Sequence, residues 1–154
     1  MKKVFLFSAL LMFVFASQSV LGQNMATKKI IAKYAADYIP EFKESLAYRS
    51  GNPALAKIDV DIDFGSFGDN YEELDLAVRQ LHQLKGAILF LAKDATGKEA
   101  IEKGLKKITI RKTSDVGKKE ISISNGNLLL ATNSFDLKTL ISTSEIQKFL
   151  ETKL

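Results

Sequence analysis

The sequence predicts an α+β fold of two layers: an about four-stranded, mainly antiparallel sheet with helices packed on one face, in the order α-β-α-α-β-β-β-α. Three observations predict it. Residues 71–93 repeat apolar side chains at three- and four-residue steps, residues 58–64 alternate strictly as I-D-V-D-I-D-F, and three short alternating segments follow between 105 and 132. Those periods are the signatures of a helix and of half-buried strands.

The helix over Tyr71–Lys93 organises the rest. Leu74, Ala77, Val78, Leu81, Leu84, Ile88, Leu91 and Ala92 share one face, with Asp75, Arg79, Gln83 and Gly86 opposite. Ala87 to Leu91 is apolar almost all round, which predicts cover from several directions. Asp69 with Glu72 has the spacing of a capping box at its start.

Ahead of the fold, residues 1–22 have the layout of a secretory signal peptide: Lys2 and Lys3, an apolar run over Val4–Ala16, then S-Q-S-V-L-G. Cleavage is expected between Gly22 and Gln23, or near Ser19 as the second choice. The apolar run is shorter than the roughly 20 residues that span a bilayer, so no membrane span is expected in the mature chain. No cysteine follows that run, which excludes a lipoprotein anchor. Residues 23–154 then form one α+β domain, exported to the periplasm or medium.

The chain holds 22 basic and 18 acidic residues; two of the basic ones lie in the leader, so the balance without it is +2. That gives no case for nucleic acid, whose binders concentrate basic charge in stripes. With no cysteine, disulfides, thiol nucleophiles and thiolate metal sites are excluded.

Taken in order, Thr27–Tyr48 reads as a helix, with Ile30, Tyr34, Tyr38, Phe42 and Leu46 at four-residue steps and Thr27 as its cap. The stripe stays in phase across Pro40, which predicts a kink rather than two helices. Its aromatic residues suit a core, or else a ligand groove. Ser50-Gly51-Asn52-Pro53 ends it. In the strand that follows, Ile58, Val60, Ile62 and Phe64 face inward and Asp59, Asp61 and Asp63 outward; Gly65–Gly68 is a loop. After the organising helix, Thr96 to Glu99 has capping-box spacing and opens a short helix through Lys103, closed by Gly104.

The last three strands read as an antiparallel meander. Ile108 and Ile110 point inward, with Lys107, Thr109 and Arg111 outward; Ile121 and Ile123 inward; and Leu128–Leu130 covered on both faces. Asn125-Gly126 is a strong hairpin signal. The Asp-bearing strand joins the meander's edge. Phe135, Leu137, Leu140 and Ile141 indicate a packed loop or extra short strand over 133–142, and Ser142–Ser144 offer caps for a final helix carrying Ile146, Phe149 and Leu150.

Chemistry is sparse. Asp59-x-Asp61-x-Asp63 starts like a calcium loop, but its sixth and twelfth positions are Phe64 and Asn70 where Gly and Glu are needed. It reads as a solvated ladder, and Lys107 and Arg111 are expected to flank it across the sheet. His82 stands alone, without the further histidines a catalytic zinc uses. Gly65-Ser66-Phe67-Gly68 is not a nucleophile elbow, since no glycine precedes the serine by two. Ala92–Glu99 echoes a phosphate loop with its first Gly and last Ser/Thr replaced. The basic residues from Lys98 to Lys119 are diluted by Glu99, Glu102, Asp115 and Glu120.

The expected role is therefore an exported binding protein without cofactor or metal, and the residues point away from an enzyme. Its candidate contacts are Asp59, Asp61, Asp63, Ser66, Phe67, Lys107 and Arg111, facing a protein or an envelope surface. Two alternatives stand beside it: an envelope-polymer hydrolase using carboxylates among Asp61, Asp63, Asp69, Glu72 and Asp75, and an inhibitor or immunity-type protein.

Overall fold

The structure is a computed structural model that describes residues 24–115, 117–133 and 140–154. The stretch expected to be a leader, the expected cleavage position, Phe135 and Leu137 lie outside the described residues. Helix α1 spans Met25–Ser50, α2 Tyr71–Leu91, α3 Ala95–Gly104 and α4 Thr143–Lys153; strands are β1 Asp59–Ile62, β2 Lys107–Lys112, β3 Lys119–Ser124 and β4 Asn127–Thr132. Short 3-10 turns at Pro53–Lys57 and Phe64–Phe67 flank β1. The α-β-α-α-β-β-β-α order is the expected one.

α2 is the hub. It packs against α1, α3, α4, β2 and the Phe64–Phe67 turn. Leu74, Leu81, Leu84 and Ile88 are fully buried along it, and Ile108, Ile110, Leu128 and Leu130 face it from the sheet. Its C-terminal end is more open than its composition suggested. Phe90 is 44% exposed, and Lys93 Nζ lies 4.1 Å from the centre of its ring.

The caps differ from those expected. Asn24 caps α1, with its side chain accepting from the Thr27 N–H. Asn70 rather than Asp69 caps α2, accepting from the Glu72 N–H. Asp94 rather than Thr96 caps α3, accepting from the Gly97 N–H. In each case the helix begins one to three residues away from the expected cap, where an Asn or Asp side chain reaches a free N–H. Ser142 and Glu145 form a complete capping box at α4. α1 runs unbroken through Pro40.

The sheet is mixed and mostly parallel, in the order β1-β2-β4-β3. This overturns the antiparallel meander. β1 and β2 are parallel, β2 and β4 are parallel, and only β3 and β4 are antiparallel. β4 inserts between β2 and β3: N-L-L-L-A-T carries apolar side chains on both faces, and in the central position side chains of both neighbouring strands flank them. The β2–β3 connection therefore carries the chain past the end of β4, where the Thr113 N–H donates to the Thr132 carbonyl at 3.0 Å. The hairpin at Asn125 (φ 51°) and Gly126 (φ 78°) has the two positive φ angles its sequence demands. β1 takes the edge beside β2, as expected of the Asp-bearing strand.

Candidate functional site

Burial alternates across the sheet: Val60, Ile62, Ile108, Ile110, Leu128 and Leu130 are buried on the inner side, where α2 meets β2 and α4 meets β3, while Asp59, Asp61, Arg111, Glu120 and Ser124 are exposed on the outer one. Register builds that outer face in rows. Asp59, Lys107, Asn127 and Ser124 form one row; Asp61, Thr109, Leu129 and Ser122 form the next. Strand alternation does this directly in β1 and β2, where each inward Ile or Val has a polar neighbour facing outward; β4 puts Leu129 and Ala131 on the same side.

Lys107 ties the ladder together. Its Nζ is 3.1 Å from Asp61 and 4.0 Å from Asp59, so one ammonium answers two carboxylates, as the strand phases predicted. Each of these side chains keeps 39% or more of its surface in water, and exposed pairs of this kind contribute about 0–1 kcal/mol. They can exchange partners cheaply.

Arg111 does not flank the ladder. Its guanidinium is 3.9 Å from Glu120, on the far side of β4. The reason is that Asp63, its neighbour in the extrapolated register, has left the strand. The Asp63 carboxylate instead accepts from the Ser66 N–H at 3.2 Å and caps the Phe64–Phe67 turn. Ala131 lies between Arg111 and Glu120 in register and is fully buried.

Ser66 stitches that turn to the sheet. Its hydroxyl donates to the Asp63 carbonyl at 2.6 Å and accepts from the Lys112 N–H at 2.9 Å. Phe67 is buried in the core. Of the candidate contacts, Asp59, Asp61 and Lys107 come together in one cluster and Arg111 lies further across the same face. Asp63 and Ser66 border it, and Phe67 supports it from beneath.

No three His, Asp or Glu side chains gather as metal ligands among the described residues, and none of their helices is long and apolar enough to cross a membrane. His82 is exposed on α2, its ring 6.2 Å from that of Tyr38. A shallow basic groove beside it is lined by Arg49, Lys85, Leu89, Phe90 and Lys93, and Lys85 is paired with Glu41 at 3.1 Å. The α1 aromatics pack as core: Tyr34 is buried against Tyr38, Phe64 and Tyr71. Burial, then its hydrogen bond with Tyr71, holds its phenol above the ordinary tyrosine range. The phosphate-loop echo is structural. A Cβ on Gly97 would sit 1.9 Å from the Leu91 carbonyl oxygen, so only glycine lets α3 turn so tightly off α2.

Sequence reasoning missed the buried polar contacts. Glu73 meets Lys112 Nζ at 2.6 Å with only 8% of its side chain exposed. Gln80 brackets Ile141, donating to its carbonyl and accepting from its N–H, both at 2.9 Å. Gln83 accepts from the Thr143 N–H and hydroxyl, so the side of α2 taken as polar is where α4 docks. A signal existed. Glu73, Ala77, Gln80 and Leu84 share a helical face, and two polar residues one heptad apart within an apolar stripe need partners.

No protein-family model, no curated protein and no solved structure matches this chain.

Proposed function

We propose that the protein is exported and acts by binding a protein or envelope-surface partner through the outer face of its sheet. Asp59, Asp61, Lys107 and Arg111 make the contacts, and the Asp63–Phe67 turn shapes one border. One observation carries this reading: the outer side of the sheet bears exposed charges of both signs held only by weak mutual pairs. A partner with complementary charges replaces those pairs at little cost, which favours specificity and rapid association over raw affinity. Export rests on the leader-like residues 1–22.

The hydrolase alternative needs one carboxyl in an apolar pocket to raise its pKa. Asp61, Asp63, Asp69 and Glu72 are instead exposed, and Asp75 is spent on Arg79 at 2.6 Å. An inhibitor or immunity-type role is a special case of binding.

The test is capture from envelope extract and culture fluid with tagged protein, run in parallel with the double variant Asp61→Lys, Lys107→Glu. A partner held by the parent and lost by the variant supports the proposal. Equal capture by both, or none by either, removes it. Loss of an enzyme's activity in the captured complex would specify the inhibitor role.

A further inference from the structure

The two edges of the sheet are unlike. β1 is four residues long and runs straight into a 3-10 turn. β3 is six residues, K-E-I-S-I-S, with no proline, glycine or bulge. Among the described residues only β4 pairs with it. Proteins commonly blunt such an edge, because its free N–H and C=O groups template another strand.

The hairpin settles which groups are free. A two-residue turn makes Ser124 and Asn127 a hydrogen-bonded pair, and pairs alternate from there along an antiparallel ladder. Glu120, Ser122 and Ser124 therefore spend their backbone groups on β4. The Asn133 N–H donating to the Lys118 carbonyl at 3.2 Å keeps that phase. Lys119, Ile121 and Ile123 direct theirs outward.

An apolar strip lies beneath this edge. Ile121, Ile123 and Phe149 are only half-buried against the core. α4 runs alongside β3 in the same sense. At one end Lys119 Nζ lies 3.1 Å from Glu145, and at the other Ile123 and Leu154 line one groove. Phe149, one turn beyond Glu145, falls on that flank.

We propose that two copies of this chain pair through β3, antiparallel, about a two-fold axis at Ser122. The register selects a second copy as the occupant. Ile121 then faces Ile123 of the second copy, and Ile123 faces its Ile121, on the inner side and through the outward backbone groups. On the outer side Ser122 meets its counterpart and Glu120 meets Ser124. No like charges oppose each other. Moving the axis to Ile121 would set Lys119 against Ile123, and a one-residue slip of the pairing would turn inner side chains against outer ones. The interface is the same patch used twice, as two-fold symmetry requires. It makes one continuous eight-stranded sheet and extends the outer face across both copies.

The chain has no cysteine, so a single introduced one reports the register. Residues on the axis form a non-hydrogen-bonded pair with Cα atoms about 4.5 Å apart, inside the disulfide range. Glu120 lies four residues from its counterpart, about 14 Å along the strand. Purified Ser122→Cys should oxidise to a covalent dimer at least tenfold faster than Glu120→Cys, read by non-reducing mass analysis. The parent should sediment as a dimer at tens of micromolar. Ser122→Lys, which sets two like charges together on the axis, should raise the dissociation constant at least tenfold with the circular dichroism spectrum unchanged. A monomeric parent, equal cross-linking of the two cysteine variants, or a dimer indifferent to Ser122→Lys overturns the proposal. None of these readouts depends on the binding partner.

Discussion

Lys107 and Lys112 stand at the two ends of one strand, and each meets a carboxylate. Lys107 faces outward to Asp59 and Asp61, with 39% of its side chain exposed; Lys112 reaches Glu73 with 21% exposed, and Glu73 itself has 8%. The same charge pair therefore does two different jobs. In water, desolvation is small and so is the gain, so the outer pair leaves its groups available to a partner. Out of water, neither charge can be left alone, so the inner pair locks α2 to the end of β2. Partial burial, rather than the identity of the residues, separates a binding group from a structural one.

The sharpest way to break this comparison is Glu73→Ala. It takes the Glu73 carboxylate away from the partly buried Lys112 ammonium and is expected to destabilise by about 3 kcal/mol, the low end for a broken buried pair because Lys112 keeps some access to water. Urea denaturation measures it, and a loss under about 1 kcal/mol would place the two lysines in the same class. Gln80→Ala comes next. It orphans the N–H and carbonyl of Ile141 and should cost about 2 kcal/mol, since the space opened can admit one water. Hydrogen exchange should rise locally at Ile141 and the first turn of α4; unchanged exchange there would show that Gln80 does not hold that junction.

Glu145 lies between the two extremes. The Ser142 N–H, then the Ser142 hydroxyl, hold its carboxyl below the ordinary glutamate value of 4.5; burial opposes them, and Lys119 adds a lesser pull downward. Because the folded-state value is the lower one, its contribution is fully present above pH 4.5 and disappears as pH falls through the depressed value. The stability gap between the parent and Glu145→Gln should thus be constant near neutrality and close on acidification. A gap that persists at the lowest pH would assign the effect to packing. The smallest change is expected at the outer face. Asp61→Asn should alter stability by less than about 1 kcal/mol, with even that difference fading in high salt. A larger or salt-resistant loss would make the ladder structural and remove its candidacy as a contact surface.

Much of this was legible in the chain. Ile58, Val60, Ile62 and Phe64 are all buried as their alternation required, α2 is the hub its stripe implied, and Asn125-Gly126 makes its hairpin. Lys107 meets the aspartates because strand phase alone places it on their side. Arg111 does not, because phase says nothing of where β1 stops, and Asp63 is drawn off to cap a turn. The antiparallel meander failed for a related reason. Local periodicity identifies each strand without ranking its need for neighbours, and the need of β4, apolar on both sides, for a strand at each edge outweighed the preference of β2 and β3 to lie side by side.

The sequence by itself determined the elements, their order and their wet and dry sides, because these follow from spacing along a single chain. Only the tertiary structure decided which strand lies in the middle of the sheet, which edge stays open, and which carboxylate meets Lys112. Those outcomes depend on competition among segments distant in sequence for the same apolar cover, and no local pattern records the result of that competition.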